Sequence, residues 1–250
     1  MTGKKITIDV VSDVVCPWCF LGRKRLEAAL ASLPDVEAEI RWRPFQLDLT
    51  LPPHGKDRQT YLREKFGTGS KIDDSHRQLR ALGEEYGIVF DFDAIIRAPN
   101  TLDAHRVIHW AAQAAPDTQD RMVGMLFSLY FEQGQDIGNH EVLVDAAASV
   151  SMDAEVVARL LQSEADKDTI RDEIATANRI GVRGVPCFII DQKYAVMGAQ
   201  TPDALADAIR QTALNPGLPK TDNREIRAKD DRWPIYRCQS TQPAKQQIPE

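Results

Sequence analysis

Residues 6–22, Ile6-Thr7-Ile8-Asp9-Val10-Val11-Ser12-Asp13-Val14-Val15-Cys16-Pro17-Trp18-Cys19-Phe20-Leu21-Gly22, decide how the rest of the chain is read. The run from 5 to 11 is rich in β-branched residues and reads as a buried strand. A short loop over 12–15 leads to Cys16. Pro17 then stands at the first helical position, where its missing N–H would have no partner anyway. Apolar residues continue at Trp18, Leu21, Leu26, Ala29, Leu30 and Leu33, so a helix is expected to run until just before Pro34-Asp35. Val36 to Trp42 reads as a second strand that Pro44 ends. The helix between is long enough to be a crossover, so the two strands should lie parallel in a βαβ unit.

From about 55 to 180 the periodicity turns helical, alanine is frequent, and no run reads as a strand. Helices are expected over 57–66, 72–86, 101–115, 117–133, 139–149, 153–162 and 164–180. Asn100 is the clearest start signal, an N-cap with Asp103 in the first turn. Strand character returns at 187–190, turns at Asp191-Gln192-Lys193, and resumes at 194–197. A short helix follows from Pro202 to Thr212, with Thr201 as its cap. Past Asn215-Pro216-Gly217 the chain is polar and proline-dotted. Its one apolar cluster, Trp233-Pro234-Ile235-Tyr236, should pin a loosely attached tail.

These signals predict an α/β protein, a thioredoxin fold with a large all-helical insertion. Residues 1–54 and 181–214 would form a discontinuous thioredoxin-like domain, 55–180 the insertion and 215–250 the tail.

The 250 residues, 43% of them hydrophobic, are ample for a buried core. The net charge of −6 arises from interspersed acids and bases, which gives no electrostatic footprint for nucleic acid. No run approaches the ~20 apolar residues of a membrane span. The N-terminus lacks the apolar run and cleavage site of a secretory signal, so the expected location is cytoplasmic.

The 4 cysteines, Cys16, Cys19, Cys187 and Cys238, are too few for a disulfide framework. In a reducing compartment a close pair points to catalysis or metal binding. Zinc needs about four ligands, and neither Cys187 nor Cys238 has a neighbouring cysteine or histidine in sequence, so no metal is expected. At a helix start, orphan N–H groups and the helix dipole favour a thiolate on the first cysteine. Cys16 is therefore the expected nucleophile, and Cys19, one turn deeper, can resolve the mixed disulfide. Gly184-Val185-Pro186 precedes the third strand, where proline is tolerated and its bond can be cis. Such a loop would present the backbone of Val185 to an extended substrate.

These residues resemble the DsbA-like superfamily, and more narrowly its cytosolic, polyketide-biosynthesis-type dithiol-disulfide isomerase branch. The likeness rests on Val15-Cys16-Pro17-Trp18-Cys19-Phe20-Leu21-Gly22, Arg41-Trp42-Arg43-Pro44-Phe45, Pro99-Asn100-Thr101 with Ala104-His105-Arg106, the Gly184-Val185-Pro186 loop, and Gly198-Ala199-Gln200. It implies a redox-active dithiol enzyme, a disulfide oxidoreductase or isomerase acting on a protein or small-molecule disulfide. Cys16 and Cys19 would be catalytic, and Pro17, Trp18, Val185 and a cis Pro186 would contact substrate. Asn100 and His105 would line the cleft. No cofactor is implied, while glutathione, as co-substrate or donor, and a thioredoxin-type donor stay open as partners. Trp18 stands where strongly oxidising relatives carry histidine; its indole offers only an N–H, which implies a less oxidising couple.

Two departures stand out. Cys187 follows Pro186 where relatives often carry Thr or Phe, and is expected to pack rather than react. His105 and His109 lie four apart on one helical face, but Arg106 occupies the place of a zinc protease's glutamate, so core or cleft-lining roles are expected. Asp13 could accept protons near the thiols or simply shape its loop. Two other readings remain. One is a glutathione-dependent isomerase or transferase of the chromene-carboxylate isomerase or kappa type, whose members tend to carry serine at the position of Cys16. The other is a non-catalytic peptide-binding or chaperone module.

Overall fold

The structure is a computed structural model and describes residues 4–67 and 71–214. The tail cluster at 233–236 and Cys238 lie outside the described residues. The chain opens with β1 (Lys4–Ser12), α1 (Pro17–Ala31) and β2 (Val36–Pro44), and closes with β5 (Cys187–Ile190), β6 (Tyr194–Met197) and α9 (Pro202–Leu214). These strands form one sheet in the order β2-β1-β5-β6. β1 runs parallel to β2 and antiparallel to β5, and β6 is antiparallel to β5. This is the expected strand-helix-strand, strand-strand-helix arrangement.

β1 lies between two neighbours and is buried on both faces, which explains its near-continuous apolar run. Its side chains alternate between two cores. Ile6, Ile8 and Val10 join the larger cluster with α1, while Val11 joins Phe45, Ala177, Val182, Cys187 and Ile189 on the other face. β2 runs two residues past Trp42, to Pro44, because it is an edge strand and its end tolerates a missing N–H.

Between the halves come β3 (Lys56–Asp57), α2 (Arg58–Phe66), α3 (Lys71–Glu84), β4 (Arg97–Ala98), α4 (Leu102–Ala111), α5 (Thr118–Phe131), α6 (His140–Ser149), α7 (Ala154–Leu161) and α8 (Lys167–Arg179). The block is helical as expected apart from the β3–β4 ribbon, whose two-residue strands are too short to leave a period in sequence. α4 stops four residues before the expected 115.

Asn100 is not the N-cap of α4. Thr101 is, and the Asn100 Oδ1 accepts from Leu102 N at 3.0 Å while its Nδ2 donates to the Leu51 carbonyl at 2.7 Å. The side chain serves the helix start from one residue further out because its amide is also committed to the 46–51 loop. Thr201 caps α9 as expected, its Oγ1 accepting from Ala204 N at 3.3 Å.

The helical block shares one core with the sheet. Phe20 of α1 stacks on Phe127 of α5 at 5.1 Å and meets Phe90 edge-on at 5.8 Å, and Phe131 closes the group. Asp120 of α5 ties α1 to β2, accepting from Arg23 at 2.6 Å and from Trp42 Nε1 at 3.0 Å. Arg106 of α4 is fully buried and donates to the carbonyls of Leu160, Leu161, Ser163 and Ala165 and to Asp103 Oδ1. One guanidinium thus gathers carbonyls at and just beyond the C-terminus of α7. No helix among the described residues is long and apolar enough to cross a membrane.

Candidate active site

Cys16 is the N-cap of α1, held extended at φ −94° and ψ 112°. Its N–H donates to the Asp13 carbonyl at 3.0 Å, and its own carbonyl accepts from Cys19 N at 3.0 Å and Phe20 N at 3.3 Å. The sulfur therefore sits where the helix exposes unpaired N–H groups and the positive end of its dipole. Across from it, the thiol points at the Val185 carbonyl at 3.7 Å, and the Val185–Pro186 bond is cis.

The Val185–Pro186 loop is fixed from two sides. On the α1 side, Gly22 lies so close that a Cβ there would be 2.9 Å from Pro186 Cγ and 3.2 Å from Phe188 Cζ. On the other, Gly198 N donates to the Pro186 carbonyl at 2.8 Å. Arg25 of α1 then holds the next residue, donating to the Ala199 carbonyl at 2.7 Å, with its guanidinium 5.3 Å from the Tyr86 ring centre. Gln200 Nε2 returns to the Met197 carbonyl at 2.7 Å. The Gly198-Ala199-Gln200 motif thus braces Pro186 from behind.

Cys19 is buried one turn along the helix, 1% exposed. Burial pushes its thiol well above the ordinary range, and the hydrogen bond and charge of Cys16 push it further; Ser12 and the Asp13 backbone pull the other way.

Asp13, 1% exposed, shapes the loop: its Oδ2 accepts from Leu47 N at 2.8 Å and its backbone carbonyl holds Cys16. Its Oδ1 faces His105 Nε2 at 3.4 Å, a nitrogen that also meets the Phe45 carbonyl at 2.8 Å. Gln46 donates to Asn100 Oδ1 at 3.1 Å. Asn100 and His105, expected in the cleft, direct their polar groups at Asp13 and the 45–51 loop rather than at sulfur. They face the loop because the carbonyls of Phe45 and Leu51 supply the partners their nitrogens need.

A family model described as DSBA-like thioredoxin domain matches residues 7–210. The chain belongs to this family. Among solved structures, a probable DsbA oxidoreductase of Streptomyces coelicolor, SCO1869, is 28% identical with a TM-score of 0.76, covering 86% of this chain and 92% of its own. The uncharacterized protein YwbO of Bacillus subtilis (strain 168) is 26% identical over 82% of this chain and 96% of its own. The cytosolic disulfide reductase DsbM of Pseudomonas aeruginosa, solved with glutathione, shares the fold at 16% identity and a TM-score of 0.57, covering 82% and 98%.

Within this DSBA-like domain, Pro17 and Trp18 fill the first turn of α1, the indole packing partly against the core. Cys187 lies on the opposite sheet face from Cys16 and Cys19, in register with Val11 and Met197 and fully buried, as the packing reading expects. His105 and His109 diverge, His109 Nδ1 lying 3.9 Å from Glu173 Oε1. Both line a cavity of about 160 Å³ with Trp42, Arg43 and Glu173, and a second of about 330 Å³ lies by His54, Arg97 and Asp136. Neither is lined by a cysteine; Cys16 and Cys19 are both buried, 4% and 1% exposed, with Cys16 beside Val185. Sequence reasoning missed Arg25, which reads there as one charge on a helix face, and missed what Gly22 makes room for.

Proposed function

We propose that this DSBA-like protein is a thiol–disulfide oxidoreductase or isomerase in which Cys16 attacks and Cys19 resolves. The observation that carries the reading is the asymmetry of the pair. Both are buried, but Cys16 sits at the helix start facing the Val185 carbonyl, whereas Cys19 lies a turn deeper with its thiol raised. The Cys16 thiolate attacks one sulfur of a substrate disulfide, forming Cys16–S–S–R and releasing R′S⁻. Cys19, its proton passed to the departing thiolate, then attacks Cys16 Sγ, forming the Cys16–Cys19 disulfide and releasing RS⁻. The substrate gains two electrons, and a donor thiol, glutathione or a thioredoxin-type protein, must supply two more to reduce the Cys16–Cys19 disulfide again. For isomerisation, the R′S⁻ released in the first step attacks another disulfide of the substrate, and the thiolate this frees attacks the R sulfur of Cys16–S–S–R, releasing the Cys16 thiolate, so no net electrons are needed.

Val185 and Pro186 supply the backbone ledge against which an extended substrate pairs, and Pro17 and Trp18 flank the sulfur. Asn100 and His105 act through the 45–51 loop. No metal or organic cofactor enters the scheme. A cytoplasmic location, with Trp18 in the motif, favours reduction or isomerisation over strong oxidation.

Disulfide reduction is to be measured on wild type, Cys16→Ser and Cys19→Ser, with the reduction potential of the pair. The expected result is no turnover for Cys16→Ser and an accumulating mixed disulfide for Cys19→Ser. Full activity in Cys16→Ser would overturn the mechanism, and a potential near the ~−120 mV of a strong periplasmic oxidant would overturn the direction.

A further inference from the structure

The cavity of about 160 Å³ lies between the end of β2 and helices α4, α5 and α8, and no cysteine lines it. Most of its polar groups are already committed. Arg43 is held by the buried Asp9, Nε donating to Oδ1 at 2.7 Å. Gln119 serves the backbone of Trp42, accepting from its N–H at 3.0 Å and donating to its carbonyl at 3.2 Å. His105 directs Nε2 at the Phe45 carbonyl at 2.8 Å. Glu173 of α8 is left over. Its side chain is 12% exposed, yet it accepts no hydrogen bond from a described residue, and the facing His109 Nδ1 stands off at 3.9 Å, beyond hydrogen-bond reach. A carboxylate so far withdrawn from water is costly unless a cation or donor meets it. The second cavity differs on this point, because its Asp136 is met by Arg97 at 3.4 Å and by Gly138 N at 3.0 Å.

The walls around Glu173 narrow what could meet it. Ile108 and Ile170, 5% and 0% exposed, line the cavity together with Pro44. Among the described residues no three histidine, cysteine or acidic side chains converge on a metal ion, so a bare cation would lack ligands. An anion would meet like charge. A cavity of about 150 Å³ takes one benzene-sized body, so the volume suits a single small ring or its equivalent. We infer that this cavity is a binding site for a small organic amine, its ammonium group held by Glu173 and its apolar body by Ile108 and Ile170. The inference is independent of the exchange reading above.

Benzylamine and benzyl alcohol share a ring and differ in charge. Each is titrated into the full chain at about pH 8, where an ordinary histidine is uncharged. Calorimetry gives the affinity, and NMR follows the ring signals of the 5 histidines. Wild type should bind benzylamine at least about tenfold more tightly than benzyl alcohol. The signals of His105 and His109 should move while those of His54, His76 and His140 stay. Glu173→Gln keeps the shape without the charge and should weaken benzylamine to the level of the alcohol. Ala112→Leu, at the exposed rim of the cavity, should weaken benzylamine by filling space, and decides the matter if Glu173→Gln does not fold. Equal binding of the two ligands by wild type, or no benzylamine binding up to about 10 mM, overturns the inference. So does benzylamine binding that both variants leave undiminished, or signal movement at His54 in place of His105 and His109.

Discussion

Gly22→Ala sets two effects of opposite sign against each other at the site. In a helix interior, alanine is favoured over glycine by about 0.8–1.0 kcal/mol. Against that, the new methyl would lie 2.9 Å from Pro186 Cγ and 3.2 Å from Phe188 Cζ, both buried under the Val185–Pro186 loop. Overpacking a closed site costs about 1–3 kcal/mol, and a proline ring braced by Gly198 yields poorly. The steric effect should win, leaving the variant destabilised by about 0–2 kcal/mol, the difference of those two ranges. The larger consequence is geometric: relief pushes Pro186 away from α1 and with it the Val185 carbonyl that faces Cys16 at 3.7 Å. Urea unfolding reads the first effect, and the rate of Cys16 alkylation together with disulfide turnover reads the second. A variant about 1 kcal/mol more stable than wild type with unchanged turnover would show that α1 tolerates the methyl, and would refute the argument.

Arg106→Met keeps the apolar stem but strands the carbonyls of Leu161, Ser163 and Ala165, so unfolding should be easier by about 3–5 kcal/mol; a midpoint shift of less than half that in urea would contradict the assignment. Arg25→Met should lower turnover with little loss of helix content by circular dichroism, because it releases the Ala199 carbonyl behind the Pro186 brace; undiminished turnover would remove Arg25 from the account. The buried Cys19 thiol, raised from its ordinary 9.0, binds its proton more tightly folded than unfolded. Its stabilising contribution is therefore intact below about pH 9 and is lost as pH climbs through the folded value. Cys19→Ala should flatten the decline of the melting temperature above pH 9, and parallel profiles would count against the raised thiol. At pH 7, one equivalent of iodoacetamide should label Cys16 well ahead of Cys19, as peptide mapping would reveal.

Strand and helix placement were legible because they leave periods in sequence: β1 and β5 are unbroken apolar runs, and α5 and α6 carry apolar stripes. The cysteine pair and the Val185–Pro186 loop were legible for a different reason, since few purposes explain a proline and two cysteines at a helix start. Arg106 was hidden because its partners are backbone carbonyls of another helix, which no residue type announces. Its trace was an arginine set among Ala104, Val107, Ile108 and Ala111, all buried. The β3–β4 ribbon was too short to register. The exposure of Leu47 and Leu49 was invisible for a related reason: both follow Pro44 in a loop, and nothing local tells whether a loop leucine turns inward or out.

The stacking of Phe20 on Phe127 constrains how this protein could change over time. Phe20 belongs to the same helix as both cysteines, and its ring is clamped by aromatic residues of the inserted block. The block is thus no cassette that recombination or a designer could exchange to retarget the enzyme. A replacement lacking those rings would unseat the helix that carries both cysteines. Divergence should therefore proceed at the block's solvent-facing rim, through point changes, while its inner aromatics drift only in concert with Phe20.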